Sequence, residues 1–209
     1  SLWVWENGGR QQGSCEVPTV VETSDGRLLM FMRTSFQRIA RSESRDGGQT
    51  WSPVKLTGLL SSNSEIFLQQ LPGSSELLCV WNQANKREIE TGYYRARLTS
   101  AISKDNGKTW KNFRTVAMSP GQTHVTRIPA SDPVSFLKTP RPIPRQSEML
   151  GEEFHMNRAP RVQVIGESAY MVYTHRRYRY VGGKVKRTVN QMRLRVFPVS
   201  WFHSAEPTK

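Results

Sequence analysis

The sequence predicts an all-β protein, a partial β-propeller of about three four-stranded blades. Two observations lead to this prediction: one octapeptide occurs twice, and pairs of short apolar strands recur at similar spacing along the chain. The apolar residues show no convincing helical periodicity in any part of the sequence.

The octapeptide SRDGGQTW spans residues 44–51 and recurs as SKDNGKTW over residues 103–110. Asp and Ser side chains accept hydrogen bonds from backbone N–H groups a few residues further on, and Gly adopts positive φ without steric cost. The pattern S-x-D-x-G therefore predicts a tight turn. The closing Trp predicts a large apolar anchor at the start of the next strand.

Each blade is predicted to begin with a hairpin made of a short strand, a polar turn and a second apolar strand. The three segments with this pattern are 18–34, 67–83 and 161–175. In the first two blades a third strand leads into the octapeptide, and a fourth strand follows from its Trp. The third strands are predicted at 39–44 and 98–103. The last blade has a later strand at 191–199 and no octapeptide.

The predicted blades cover about residues 14–60, 64–118 and 154–203. The segment of about 119–153 is rich in Pro and has no strand periodicity, which predicts a long loop over the propeller. Three blades are too few to close a ring, and their outer strands would be exposed sheet edges. We therefore expect the remaining blades to come from the same protein or from another chain, and the abrupt start of the sequence favours the first.

The composition indicates which classes of partner the protein favours. The 209 residues include 30 Lys and Arg against 17 Asp and Glu, a formal charge of +13 that favours anionic partners. Apolar runs end after about five residues, so no membrane helix is predicted. The basic segment 175–187 is interpreted as a solvated hairpin around Gly182 and Gly183, which disfavours nucleic acid as a partner. The compartment is not fixed by these residues.

Neither a metal site nor a cofactor is expected. The four His residues lack the spacing of metal ligands. Cys15 and Cys79 lie next to apolar strand residues, so buried thiols are expected in preference to a disulfide.

Alignment of the three hairpins on their turns predicts one polar opening, or mouth, of the propeller. The residues at this end are Glu16, Arg33, Glu65, Asn82, Asn157 and Thr174 or His175. Side chains of this kind at a shared opening favour binding of a polar ligand.

The octapeptides resemble the Asp-box, or bacterial neuraminidase repeat, and residues 15–34 resemble the corresponding part of sialidases and sialidase-like hydrolases. The resemblance is clear over about residues 13–110 and weaker as far as Trp201. It implies a six-bladed propeller of the sialidase type, of which this chain supplies about the last three blades. It also implies Asp-boxes that fasten blades on the side away from the active site, and it weakly favours a secreted or periplasmic location.

Sialidases hold a carboxylate with three arginines and use a tyrosine nucleophile, a glutamate and an aspartate acid/base. Arginine suits the first task because its planar fork of donors binds a carboxylate at two points and stays charged. The resemblance implies that Arg33 is the second arginine, Arg95 the third and Glu16 the glutamate. Arg97 takes the place of Arg95 if the alignment shifts by two residues. The alternatives are a surface cation at Arg33, a salt bridge at Glu16 and a solvated strand arginine at Arg95.

The sequence departs from the family pattern just before Pro160. Arg158 and Ala159 occupy the place where related sialidases tend to have the tyrosine, and neither can form a covalent glycosyl intermediate. Three consequences are open: a relocated nucleophile, a mechanism with Glu16 or His155 as base, or no catalysis. A structural role is the alternative for His155.

We therefore expect a sialidase-like glycoside hydrolase that acts on sialic acid or another carboxylate-bearing glycan or glycoconjugate. Glu16 and His155 are the catalytic candidates. The substrate-binding candidates are Arg33, Asn82, Arg95, Asn157 and Arg158. The alternatives are a non-catalytic carbohydrate-binding propeller and, more weakly, a polyanion binder that acts through net charge alone.

Overall fold

Three antiparallel sheets make up the part of the chain that the computed structural model describes, residues 15–129 and 143–204. The first sheet has the order β1-β2-β3-β4 and contains β1 (Cys15–Glu22), β2 (Leu28–Thr34), β3 (Arg38–Ser44) and β4 (Lys55–Leu60). The second repeats this order with β5 (Phe67–Gln70), β6 (Leu77–Trp81), β7 (Leu98–Ser103) and β8 (Lys111–Ala117). The third has the order β11-β10-β9 and contains β9 (Glu153–Ile165), β10 (Ser168–Val181) and β11 (Lys184–Pro198).

The predicted all-β, partial propeller is confirmed, with three strands in the described part of the last blade. The fourth strands of the first two blades begin at Lys55 and Lys111, slightly after the predicted Trp residues. Part of the predicted loop lies outside the described residues. Within the described stretches 119–129 and 143–152, the regular structure is a 3-10 turn at Gln146–Glu148.

One short helix, α1 (Lys86–Glu90), lies between β6 and β7 and was not predicted. Asn85 caps it: the Glu88 N–H donates to Asn85 Oδ1 at 2.8 Å, and the Asn85 N–H donates to Glu88 Oε2 at 3.0 Å. A helix of this length is too short to show a periodic apolar pattern. A further 3-10 turn, Val199–His203, follows β11. No helix among the described residues has the length and apolar character required to cross a membrane.

The sheets stack in chain order through two apolar cores. Phe31 of the first sheet belongs to the same core as Trp81 and Phe113 of the second, and Val80 of the second belongs to the same core as Tyr173 of the third. Each of these side chains is buried, and burial of a side chain of this size contributes about 1.5–3 kcal/mol. The two faces of the middle sheet therefore hold the three blades together.

Each Asp-box turn is closed by its own polar side chains, as the octapeptide predicts. In the first copy Ser44 Oγ donates to Asp46 Oδ1 at 2.7 Å, the Gly48 N–H donates to Ser44 Oγ at 2.9 Å, and the Thr50 N–H donates to Asp46 Oδ1 at 2.9 Å. Hydrogen bonds from Thr50, and one from Ser44, lower the pKa of Asp46 to about 2. The second copy repeats these hydrogen bonds with Ser103, Asp105, Gly107 and Thr109.

The second Asp-box also joins two blades. Ser24, in the hairpin turn of the first blade, donates to Asn106 Oδ1 at 2.9 Å, and Arg41 donates to the Gly107 carbonyl at 3.0 Å. The turn therefore fastens its own blade and its neighbour.

Strand register divides the propeller into two rims. Glu16 pairs with Arg33 at one end of the first sheet, whereas Leu28 pairs with Ser44 at the other. We call the Glu16 and Arg33 end the front rim and the Asp-box end the rear rim. The Asp-boxes thus lie away from the candidate site residues.

Candidate functional site

Glu16 and Arg33 form an ion pair at the front rim. They face each other on β1 and β2, and Arg33 Nε donates to Glu16 Oε2 at 3.1 Å while Nη2 contacts the same oxygen. A bulge interrupts β1 directly after Glu16, where Val17 has a φ of 50°. Positive φ is rare for a β-branched residue, and the position before Pro18 normally prefers extended backbone. This strained local conformation coincides with the shift in strand register between Glu16 and Thr19.

The same conformation recurs in the third blade. Arg158 is followed by Ala159, with a φ of 53°, and then by Pro160, and the β9 register also shifts at this point. Arg158 pairs with Thr174 as Glu16 pairs with Arg33. Arg158 is therefore the counterpart of Glu16, a place that the sequence alignment had given to Asn157.

Glu65 of the second blade joins this group. Arg158 Nη2 donates to Glu65 Oε1 at 2.9 Å. Burial acts to raise the pKa of Glu65, but its backbone N–H and the nearby Arg158, Arg95 and Arg33 lower the pKa below its usual value. We call Arg33, Arg95 and Arg158 the arginine cluster. Arg158 contacts the Glu65 carboxylate directly, and Arg95 and Arg33, from the other two blades, lie near enough to lower its pKa.

Arg95 sits among other cations. Its pKa is lowered by burial and by Arg158 and Arg33, against the opposing effects of Tyr94 and Glu65. Arg95 Nη2 donates to the Asn63 carbonyl at 2.8 Å. Buried Arg95 Nε and Glu65 Oε2 have no hydrogen-bond partner among the described residues. The cluster therefore retains hydrogen-bonding capacity next to concentrated positive charge, which favours an anion.

Two buried amides hold the segment that carries Arg95. Asn157 donates its N–H to the Arg95 carbonyl at 2.8 Å and its Nδ2 to the Ala96 carbonyl at 2.9 Å. Asn82 Nδ2 donates to the Arg97 carbonyl at 2.8 Å and to the Asn157 carbonyl at 2.7 Å. Both side chains are buried, and their expected role in substrate binding stays a prediction. The Nδ2 groups of both amides donate to backbone carbonyls and so support the segment that carries Arg95.

His155 lies in a separate cluster. Its Nε2 contacts Glu153 Oε1 at 2.8 Å, and its ring packs edge-on against His175 at 4.8 Å. His175 in turn contacts Asn157 Oδ1 through Nδ1 at 2.9 Å. Burial and nearby cations, chiefly Arg193, lower the pKa of His175 to about 4. Among the described residues, the contacts given for the His155 ring do not include Glu16 or the arginine cluster, and its role as a base stays a prediction.

Arg97 does not belong to the arginine cluster, because it forms an ion pair with Glu88. Arg97 Nη2 donates to Glu88 Oε1 at 2.6 Å, and its side chain is only 2% exposed. Arg95, not Arg97, therefore faces the other arginines. The unpredicted helix α1 supplies Glu88, so its ion pair with Arg97 was not visible from strand patterns.

The tyrosines near the front rim have structural partners. Tyr178 stacks on Phe154, and Tyr180 Oη donates to the Pro144 carbonyl at 2.5 Å. Tyr94 differs, since the Arg95 guanidinium lies 5.0 Å from its ring centroid. Sequence reasoning did not select Tyr94, and it placed Glu65 at the mouth without giving it a role. Across residues 15–129 and 143–204, no group of three or more His, Cys, Asp or Glu side chains is placed to hold a metal ion.

Comparison with known proteins identifies the family. Residues 2–177 match the family model described as the BNR repeat-like domain. The chain belongs to this family. A search of curated proteins found no match to the BNR chain.

Two solved structures show the same fold. The BNR chain is similar to the intramolecular trans-sialidase from Ruminococcus gnavus, with a TM-score of 0.51 and 16% identity over 88% of this chain and 33% of that one. It is also similar to the leech intramolecular trans-sialidase, with a TM-score of 0.51 and 15% identity over 88% of this chain and 24% of that one. The BNR chain thus spans a third or less of their length. The predicted sialidase-like, Asp-box propeller fold is confirmed.

Proposed function

We propose that this BNR chain contributes the carboxylate-binding part of the active site of a sialidase-like glycoside hydrolase. The substrate is an acidic glycan that carries sialic acid or another carboxylate sugar. The observation that supports this proposal is the convergence of Arg33, Arg95 and Arg158, one from each blade, at the front rim. Arginine forks bind carboxylates at two points, and three of them give one anionic group a fixed orientation.

The two carboxylates of the cluster have different proposed roles. Glu16 is paired with Arg33, and an ionised carboxylate at this position can orient a nucleophile or accept its proton. Glu65 is paired with Arg158 and serves to keep that arginine in place until substrate binds. Because Arg158 and Ala159 cannot form a glycosyl intermediate, the nucleophile is either water activated by Glu16 or a group from the other blades.

A non-catalytic glycan-binding propeller is the second candidate. Arg158 favours it, because a cation stands where related sialidases tend to have the nucleophilic tyrosine. In this case the arginine cluster binds the same carboxylate but no glycosidic bond is broken.

The first test is the Arg33→Ala variant of the full-length protein, assayed on sialosides. We expect kcat/KM to fall by about 30-fold or more, the equivalent of about 2 kcal/mol, because one arm of the carboxylate clamp is removed. The matched control is Arg45→Ala, which removes an exposed arginine from the rear rim. Wild-type kinetics in Arg33→Ala would exclude the clamp.

Calorimetry separates the two candidates. Binding of a sialylated trisaccharide with no release of sugar over hours selects the non-catalytic propeller. Release of free sugar that is lost in Glu16→Gln selects the hydrolase.

A further inference from the structure

A second cleft is distinct from the arginine cluster, since Arg33, Arg95 and Arg158 are not among the residues that line it. It lies between β4 of the first blade and the Asp-box turn of the second, and it encloses about 800 Å³. We call it the rear cleft. Its floor includes the buried side chains of Leu59 and Trp110. This volume is within the range of binding sites for small ligands and short oligomers.

Five cations line the rear cleft, together with one carboxylate, Glu43. The cations are Arg41, Lys55, Lys108, Lys111 and Arg127. Glu43 already pairs with both Arg41 and Arg27. The negative charge of Asp105, in the second Asp-box turn, acts to raise the pKa of Arg41.

The other four cations are exposed, and no ion pair recorded for the described residues includes any of them. Like charges held close together repel one another, and an anion within the cleft relieves this repulsion. Burial and the nearby Arg27 also lower the pKa of Arg41, which fits a local excess of positive charge. The cleft therefore favours a ligand with several negative charges spaced along it.

Comparison of the two octapeptides indicates that two of these lysines are not needed for the turn. Lys108 corresponds to Gln49 of the first copy, and Lys111, directly after the second octapeptide, corresponds to Ser52, directly after the first. Both Asp-boxes nevertheless have the same Ser, Asp and Thr hydrogen bonds. The charge at these positions is thus independent of the structural role of the repeat.

We propose that the rear cleft is a second binding site, which takes a carboxylated or sulfated oligosaccharide. Lysines act as point charges that tolerate varied anion geometry, as is suitable for a chain of repeated acidic groups. Nucleic acid is disfavoured because the aromatic ring that lines the cleft, Trp110, is only 8% exposed and offers little surface for base stacking. The site does not depend on the chemistry of the front rim.

The test uses the full-length protein and replaces two lysines of the second repeat with the corresponding residues of the first repeat. In the Lys108→Gln, Lys111→Ser variant, affinity for a heparin-derived hexasaccharide or a hexagalacturonate is expected to fall about tenfold or more. The slope of log affinity against log salt concentration is expected to decrease by about one to two. Isothermal titration calorimetry measures both, and the two probes distinguish sulfate from carboxylate recognition.

The control variant is Arg45→Gln, Lys104→Gln. It removes the same number of charges from equivalent positions of the two Asp-boxes, outside the cleft. We expect it to retain wild-type affinity. Three results would overturn the proposal: wild-type affinity in Lys108→Gln, Lys111→Ser, an equal loss in the control, or equally tight binding of a single-stranded DNA decamer.

Discussion

Glu65 illustrates how individual charges at the front rim depend on one another. Its pKa is lowered although burial opposes ionisation, because its own backbone N–H and the nearby Arg158, Arg95 and Arg33 stabilise the carboxylate. Its ionised form therefore contributes stability at pH values above its ordinary pKa. That contribution is lost as the pH falls through the lower pKa of the folded state.

Removal of Arg158 is expected to raise the pKa of Glu65. In Arg158→Ala, burial acts on the carboxylate with one fewer cation, and the direct 2.9 Å contact is lost. NMR titration of labelled glutamate carboxyl groups in the full-length protein measures this shift. The control is Arg161→Ala, an exposed arginine on the same strand. An unchanged pKa of Glu65 in Arg158→Ala would show that the arginine does not control this carboxylate.

Some of these residue positions follow from sequence and others do not. The pairing of Glu16 with Arg33 is predictable, because turn position fixes strand register in a hairpin. The position of Arg158 opposite Thr174 is not predictable from sequence. It depends on the positive φ of Ala159, which the pattern of apolar residues does not indicate. His155 was selected for its chemistry, but the strand places its ring next to Glu153 and His175.

At the scale of elements, the Asp-box is both a turn and a joint between blades. The two copies differ at their equivalent glycines. Gly48 and Gly107 both have positive φ, at 90° and 79°. A Cβ on Gly48 would lie 3.4 Å from Leu28 Cδ1, whereas a Cβ on Gly107 would overlap with Leu29 Cδ2 of the neighbouring blade. The second turn therefore has a closer contact than the first.

Alanine substitutions at Gly48 and Gly107 are expected to separate the role of the Asp-box as a turn from its role as a joint between blades. Gly48→Ala should lower the free energy of unfolding by about 1–2 kcal/mol, because L residues disfavour positive φ. Gly107→Ala should cost about 1–3 kcal/mol more, because Leu29 is buried in the core between blades and cannot move freely. Urea denaturation of the full-length protein gives both values. Equal destabilisation of the two variants would contradict the proposed joint.

The amide pair is the second element that links blades. In Asn82→Ala, the Arg97 and Asn157 carbonyls lose a buried donor, and the expected loss of stability is about 1–3 kcal/mol. Asn190→Ala serves as the control, since Asn190 is exposed on β11, and its effect should be within about 0.5 kcal/mol. Thermal unfolding measures the difference. If both variants were equally stable, the amide would not hold the Arg95 segment.

Sequence patterns predicted the strands better than they predicted these links. The third strands end at Ser44 and Ser103 as expected, because the octapeptide marks their ends. Helix α1 was missed because five residues give no helical period. The burial of Asn82 was not predicted, because its sequence context does not show whether a side chain at a strand end is buried.

At the scale of the whole molecule, the two rims carry different chemistry and the stack of blades is open at its end. The outer face of the third sheet exposes Met192, Leu194 and Val196 at 64%, 60% and 53%. Exposed apolar faces of this kind normally pack against a partner. We predict that blades of the full-length protein cover this face, as expected from the number of blades in the sequence.

The most direct measurement is the structure of the full-length protein with an acidic monosaccharide such as sialic acid bound. We expect its carboxylate to lie within hydrogen-bond distance of guanidinium groups of Arg33, Arg95 and Arg158 at the front rim. A carboxylate bound at the rear rim, or at a front-rim position without contact to these arginines, would contradict the assignment of the arginine cluster.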